Sequence, residues 1–153
     1  MQRYENAYPR EATITEFFID TNIFLRFLTN DIPEQAQSVE DVLKQAERGG
    51  VDLYTSALTL AEIVWTLESY YELPREDIRD KVIAILNTPG LHVEEADNLA
   101  QALTLYADLN IDFIDAYNAV WTKEQGLSKV ITFDIKHFNR VQWVNAFTPD
   151  EVQ

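Results

Sequence analysis

Five carboxylates stand out by where they fall in the chain. Asp20 closes the apolar run Phe17-Phe18-Ile19, and Asp134 closes the β-branched run Val130-Ile131-Thr132-Phe133. Glu62 interrupts the largely apolar stretch from Leu58 to Trp65. Asp112 and Asp115 are three residues apart, which puts both on the first-turn face of one helix. Carboxylates brought to one place repel one another unless a cation joins them. An all-oxygen set of this kind suits Mg²⁺ or Mn²⁺. With no cysteine in the chain, a thiolate nucleophile, a thiolate metal site and a disulfide are all excluded. The two histidines, His92 and His137, are too few and too far apart for a histidine-based zinc site. Four glycines form no phosphate-cradling loop.

Each acid also has a structural alternative. Asp20 could cap the helix that follows it, and Asp112 could cap the helix that carries Asp115. Thr59-Leu60-Ala61-Glu62 matches a capping box, in which Glu62 would bond back to Thr59. Asp134 could seat a turn. Lys136, His137 and Arg140 follow Asp134 and either touch phosphate or lie on a solvated turn.

The elements that must position these residues alternate. A buried strand is expected at Phe17-Phe18-Ile19, then a helix over Ile23–Leu28. A second helix starts near Pro33, with Asp31 or a neighbour as its cap, and ends at Gly49-Gly50. Short strands are expected at Val51–Ser56, Leu91–Val93, Lys129–Phe133 and, last, Gln142-Trp143-Val144. Between them the 3-4 spacing of apolar residues predicts helices over Leu58–Tyr71, Ile78–Leu86, Ala96–Tyr106 and Ile111–Gln125. Strands alternating with helices imply βαβ units, and so a three-layer α/β/α domain with a central, mostly parallel sheet. In such sheets ligands bind beyond the carboxyl ends of the strands. If the first and fourth strands share one sheet, Asp20 and Asp134 emerge at the same edge.

At 153 residues the chain suits one domain, large enough to bury about 70% of its unfolded surface. No apolar run approaches the roughly 20 residues of a membrane span, and no secretory signal is read at the N-terminus. Together with the absence of cysteine, this gives a cytoplasmic expectation. Twelve basic against 26 acidic residues leave a net charge of −14, which argues against tight, sequence-independent binding to nucleic acid and favours a basic partner. It leaves room for a metal-bridged substrate.

The acids carry a resemblance. Ile19-Asp20-Thr21-Asn22, Ala61-Glu62-Ile63, Asp112-Phe113-Ile114-Asp115-Ala116 and Thr132-Phe133-Asp134 resemble, in order, the four motif regions of PIN-domain nucleases. The closest likeness is to single-domain ribonuclease toxins of the VapC type, over roughly Phe17 to Val144. The resemblance implies a PIN-like nuclease domain over 17–153 behind an N-terminal extension of 1–16. It implies Mg²⁺- or Mn²⁺-dependent cleavage of RNA, a homodimer, and a cognate antitoxin whose tail covers the site. Asp20, Glu62, Asp115 and Asp134 match the family acids and are the expected catalytic residues, with Asp20, Asp115 and Asp134 as the metal ligands. Thr21, Asn22 and Thr132 fall where the family has small polar residues, and with Asp112 they are expected to position substrate or water. Two other readings compete. One is a non-catalytic PIN-like binding module acting through protein partners. The other is a phosphoacceptor domain, which needs an aspartate at the end of a middle strand that this sequence lacks.

Overall fold

The computed structural model describes residues 13–153; the first twelve residues of the expected extension lie outside the described residues. The α/β class is as expected, with seven α-helices and parallel strands among the described residues. In chain order these are β1 Thr15–Phe18, α1 Thr21–Thr29, α2 Pro33–Glu47, β2 Val51–Thr55, α3 Ala57–Ser69, α4 Arg75–Leu86 and β3 Leu91–Val93. Then follow α5 Ala96–Leu109, α6 Phe113–Glu124, β4 Lys129–Ile131, α7 Ile135–Phe138 and β5 Asn145–Phe147, before a final 3₁₀ turn at Pro149–Val152. No helix among them is long and apolar enough to cross a membrane.

α3 is the central helix. Leu60, Ile63, Val64 and Leu67 recur at helical spacing and are almost fully buried. α1, α4, α5 and α6 all pack against it. Its N-cap is Ser56, whose hydroxyl accepts from the Thr59 amide. The helix therefore begins one turn before the capping box expected at Thr59, and Glu62 is left without a capping role.

The sheet departs from expectation in two ways. First, it is not one hydrogen-bonded unit. β1, β2 and β3 pair in that order, and β4 pairs only with β5 among the described residues. Asp20 and Asp134 therefore follow strands of separate sheets. Second, β1 is not buried. Phe17 and Phe18 are 51% and 63% exposed, and only Ile19, just past the strand, is in the core. Among the described residues β1 is an edge strand, and one face of its sheet is exposed. Opposite neighbours Glu16 and Asp52, then Phe18, Tyr54 and His92, lie on that face. Along β2 and β3, Val51, Leu53, Thr55 and Leu91 are buried while Tyr54 and His92 are exposed, the alternation of a sheet packed on one side. The strand also starts at Thr15, two residues ahead of the expected domain boundary.

Two turns are held by glycine. Gly49 has φ of +79° and its amide bonds to Ala46, ending α2 as expected. Gly90 has φ of +78°, and a β-carbon there would lie 2.4 Å from the Ala46 carbonyl oxygen, so β3 is entered through a contact that only glycine allows.

Candidate active site

The five acids fall into two groups. In the first, Asp20 is the N-cap of α1, its carboxylate accepting from the Thr21 amide at 2.7 Å. Thr21 is buried at 4% exposure, and its hydroxyl donates to Glu62 Oε2 at 2.9 Å. That bond spans 41 residues and ties the start of α1 to the side of α3. The expected polar residue after Asp20 thus orders a carboxylate, though the carboxylate is Glu62. Asn22 lies exposed on the first turn of α1.

The second group gathers around Asp115, in the first turn of α6. Burial pushes its carboxyl above the ordinary value, and Asp112 and Asp134 push it further, while His137 acts the other way. The charged form of Asp115 is therefore disfavoured first by burial and then by two like charges. Asp112 stands at the N-cap position of α6 but makes no side-chain cap bond; it is exposed, with Arg75 Nη2 at 3.7 Å. Asp134 caps α7, accepting from the His137 amide at 3.4 Å, and the same oxygen bonds His137 Nδ1 at 2.6 Å. Beneath it, the Thr132 hydroxyl accepts from the Asp134 amide at 2.9 Å. The turn-seating alternative therefore holds for Asp134, as the capping one does for Asp20. Neither role consumes both carboxylate oxygens.

Among the described residues no three metal-binding side chains are close enough to form a ready cage. What the structure links is Thr21 with Asp20 and with Glu62, and Asp134 with His137, while Asp115 feels Asp112, Asp134 and His137. The donor chemistry still fits a hard divalent cation. The carboxylates offer only oxygen, and the stress on Asp115 is the kind a cation relieves.

Sequence reasoning missed two things here. His137 lies three residues after Asp134, an i,i+3 spacing that could have signalled its contact with the carboxylate. Arg140 does not point to open phosphate space: its guanidinium bonds the carbonyls of Leu109 and Asn110 at 3.1 and 2.8 Å.

The chain was compared with known proteins. A family model for the PIN domain matches residues 17–144. A VapC ribonuclease of Aquifex aeolicus (strain VF5) is 30% identical over 115 residues, which cover 75% of this chain and 84% of that protein. The match encloses all four motif regions and both groups of acids, and the chain belongs to the PIN-domain family, among the ribonucleases of the VapC type.

Proposed function

We propose that the protein is a metal-dependent endoribonuclease and the toxin of a toxin–antitoxin pair. The observation that carries this is the PIN-domain match over residues 17–144, which encloses Asp20, Glu62, Asp115 and Asp134, with Glu62 held by the buried Thr21 hydroxyl. Asp115 and Asp134, with Asp20, are the residues that would hold Mg²⁺ or Mn²⁺. When bound, the cation supplies Lewis acidity toward the phosphate and makes water a competent nucleophile at neutral pH. Glu62, held by the Thr21 hydroxyl, orients the attacking water. Thr132 fixes the turn that presents Asp134, and Asn22 and Asp112 are read as positioning substrate or water. In-line displacement leaves a 5′-phosphate and a 3′-hydroxyl.

Two partners belong to this reading. The acidic surface and the exposed acids favour an antitoxin segment that brings Arg or Lys to Asp20 and Asp134. A homodimer is supported by large apolar side chains exposed along α3 and α6, which border the acids Glu68, Asp112 and Asp115. There Leu58, Trp65, Ile114 and Trp121 are 81%, 68%, 54% and 42% exposed, each pair seven residues apart. A monomeric mass in light scattering removes the dimer from the proposal. Residues 1–16 are read as an extension to the nuclease domain, and the site of action as the cytoplasm.

The test is cleavage of RNA by the purified protein with Mn²⁺ or Mg²⁺, with EDTA, and with Asp20→Asn. Cleavage is expected only with metal and only in wild type. Activity that survives both EDTA and Asp20→Asn would sink the proposal. The alternative, a non-catalytic module, draws on the same apolar α3–α6 surface and predicts no cleavage under any of these conditions.

A further inference from the structure

The short connection between α5 and α6 launches the helix that carries Asp115, and it is held by two arginines far apart in the chain, Arg75 and Arg140. Its residues are Asn110, Ile111 and Asp112. Asn110 adopts the left-handed conformation, with φ of 52°, and Ile111 is 1% exposed. Four successive carbonyls run through it, from Leu109 to Asp112. Arg140 Nη1 donates to the first two. Arg75 Nη1 donates to the third, that of Ile111, at 2.7 Å, and the fourth accepts from Ala116 inside α6. Arg75 is itself fixed: it bonds the Tyr106 carbonyl at 3.3 Å, pairs with Glu68 at 3.1 Å, and lies 4.4 Å above the Tyr106 ring.

Arg140 differs from Arg75 in where its own backbone comes from. It belongs to the segment that begins at Asp134. Asp134 caps α7, and the turn runs on through Phe138 to Asp134 and Arg140 to His137 backbone bonds. The span from Asp134 to Arg140 is therefore one hydrogen-bonded turn. One end carries a candidate ligand; the other grips the connection that aims Asp115. A guanidinium suits this task because its rigid fork can serve two neighbouring carbonyls at once, and the carbonyl end of a helix favours a cation.

We infer that Arg140 is a positioning residue. It sets the separation of Asp115 from Asp134, with Arg75 bracing the far side of the same connection, and through that separation it sets the affinity for the divalent cation. The inference rests on the metal-dependent reading above. It assigns Arg140 no contact with the RNA.

The experiment titrates Mn²⁺ by calorimetry into wild type, Arg140→Met and Arg140→Lys, with RNA cleavage kinetics and melting curves alongside. Met keeps part of the stem and loses the carbonyl bonds; Lys keeps a charge and N–H donors on a shorter side chain without the planar guanidinium. Arg140→Met should weaken Mn²⁺ binding about 10-fold, the low end for a lost outer-sphere partner. Arg140→Lys should fall between, and KM for RNA at saturating Mn²⁺ should not move. Should the Met variant fail to fold, the Lys variant carries the same comparison. Wild-type Mn²⁺ affinity in a variant that only melts lower would make Arg140 a plain brace and overturn the inference. A raised KM with unchanged Mn²⁺ affinity would make it a phosphate contact and overturn it too. If wild type binds no Mn²⁺, the metal-dependent reading falls and takes the inference with it; if wild type binds and the variants match it, the inference falls alone.

Discussion

Removing the hydroxyl of Thr21 separates ordering of a carboxylate from packing. Thr21→Val keeps the shape of a buried side chain and deletes the donor to Glu62. Hydrogen bonds to charged groups are worth about 1.5–3 kcal/mol, but Glu62 is exposed, and water can replace the lost donor. The ordinary net value of about 0.5–1.5 kcal/mol is therefore the better guide. For a domain of this size that is a fall in Tm of roughly 1–6 °C, at about 2–4 °C per kcal/mol. Thr21→Ser, which keeps the hydroxyl, should lose less. The assay is a double-mutant cycle in thermal or urea unfolding: Thr21→Val, Glu62→Ala and both together. A coupling of about 0.5 kcal/mol or more is expected between directly bonded partners. Cleavage should follow the hydroxyl, surviving in Thr21→Ser and falling in Thr21→Val. Additive effects, or a Thr21→Val protein that melts and cleaves like wild type, would refute the argument that Thr21 holds Glu62.

Asp115→Asn tests the stress at the second group. The folded protein holds the Asp115 proton more tightly than the unfolded chain, so stability falls as pH rises from the ordinary 3.8 through the raised folded value. At neutral pH in EDTA, Asp115→Asn should melt no lower than wild type and show a shallower pH dependence. It should also lose most of the Mn²⁺-induced stabilisation, about 2.7 kcal/mol in wild type at a hundred times the dissociation constant. A lower Tm in EDTA with the Mn²⁺ shift intact counts against a metal ligand there. Gly90→Ala should be among the most damaging small substitutions, since its β-carbon would meet the Ala46 carbonyl at 2.4 Å with φ already at +78°. A loss of about 2–5 kcal/mol is expected from overpacking and left-handed strain together, read as the urea midpoint.

Much of the fold was legible because periodicity and burial agree. Leu60, Ile63, Val64 and Leu67 announce α3 by spacing alone. Where sequence misled, a second interaction had won. The cap of α2 was expected at Asp31 or a neighbour, and it is the neighbour Ile32, with no side-chain bond; the Asp31 carboxylate instead pairs with Arg26 at 3.1 Å and accepts from the Tyr71 hydroxyl at 3.0 Å. The last strand was expected at Gln142-Trp143-Val144. Those residues form a turn: the Trp143 indole donates to the Ala119 carbonyl and the Val144 amide to Val141, and the strand that pairs with β4 is Asn145–Phe147. Strand identity there is decided by a partner, which propensity does not register. At the site, the order and spacing of the acids stand in the sequence itself. The bond from the Thr21 hydroxyl to Glu62 does not. It depends on how α1 and α3 meet, and no spacing along one element encodes that.

The open edge and bare outer face of β1 bear on how the protein behaves in concentrated solution. Among the described residues β1 pairs only with β2, and its outer amides and carbonyls, beside Phe17 and Phe18, are a template for adding another strand. What opposes this at long range is colloidal: copies that each carry a charge of −14 push one another apart before their edges can meet. Salt shortens the reach of that repulsion to about 10 Å at 0.1 M. Solutions of this protein should therefore stay clear at low ionic strength and neutral pH. They should turn sticky as salt rises or as pH falls toward the isoelectric point near 4.3, where neutralised copies can approach edge to edge.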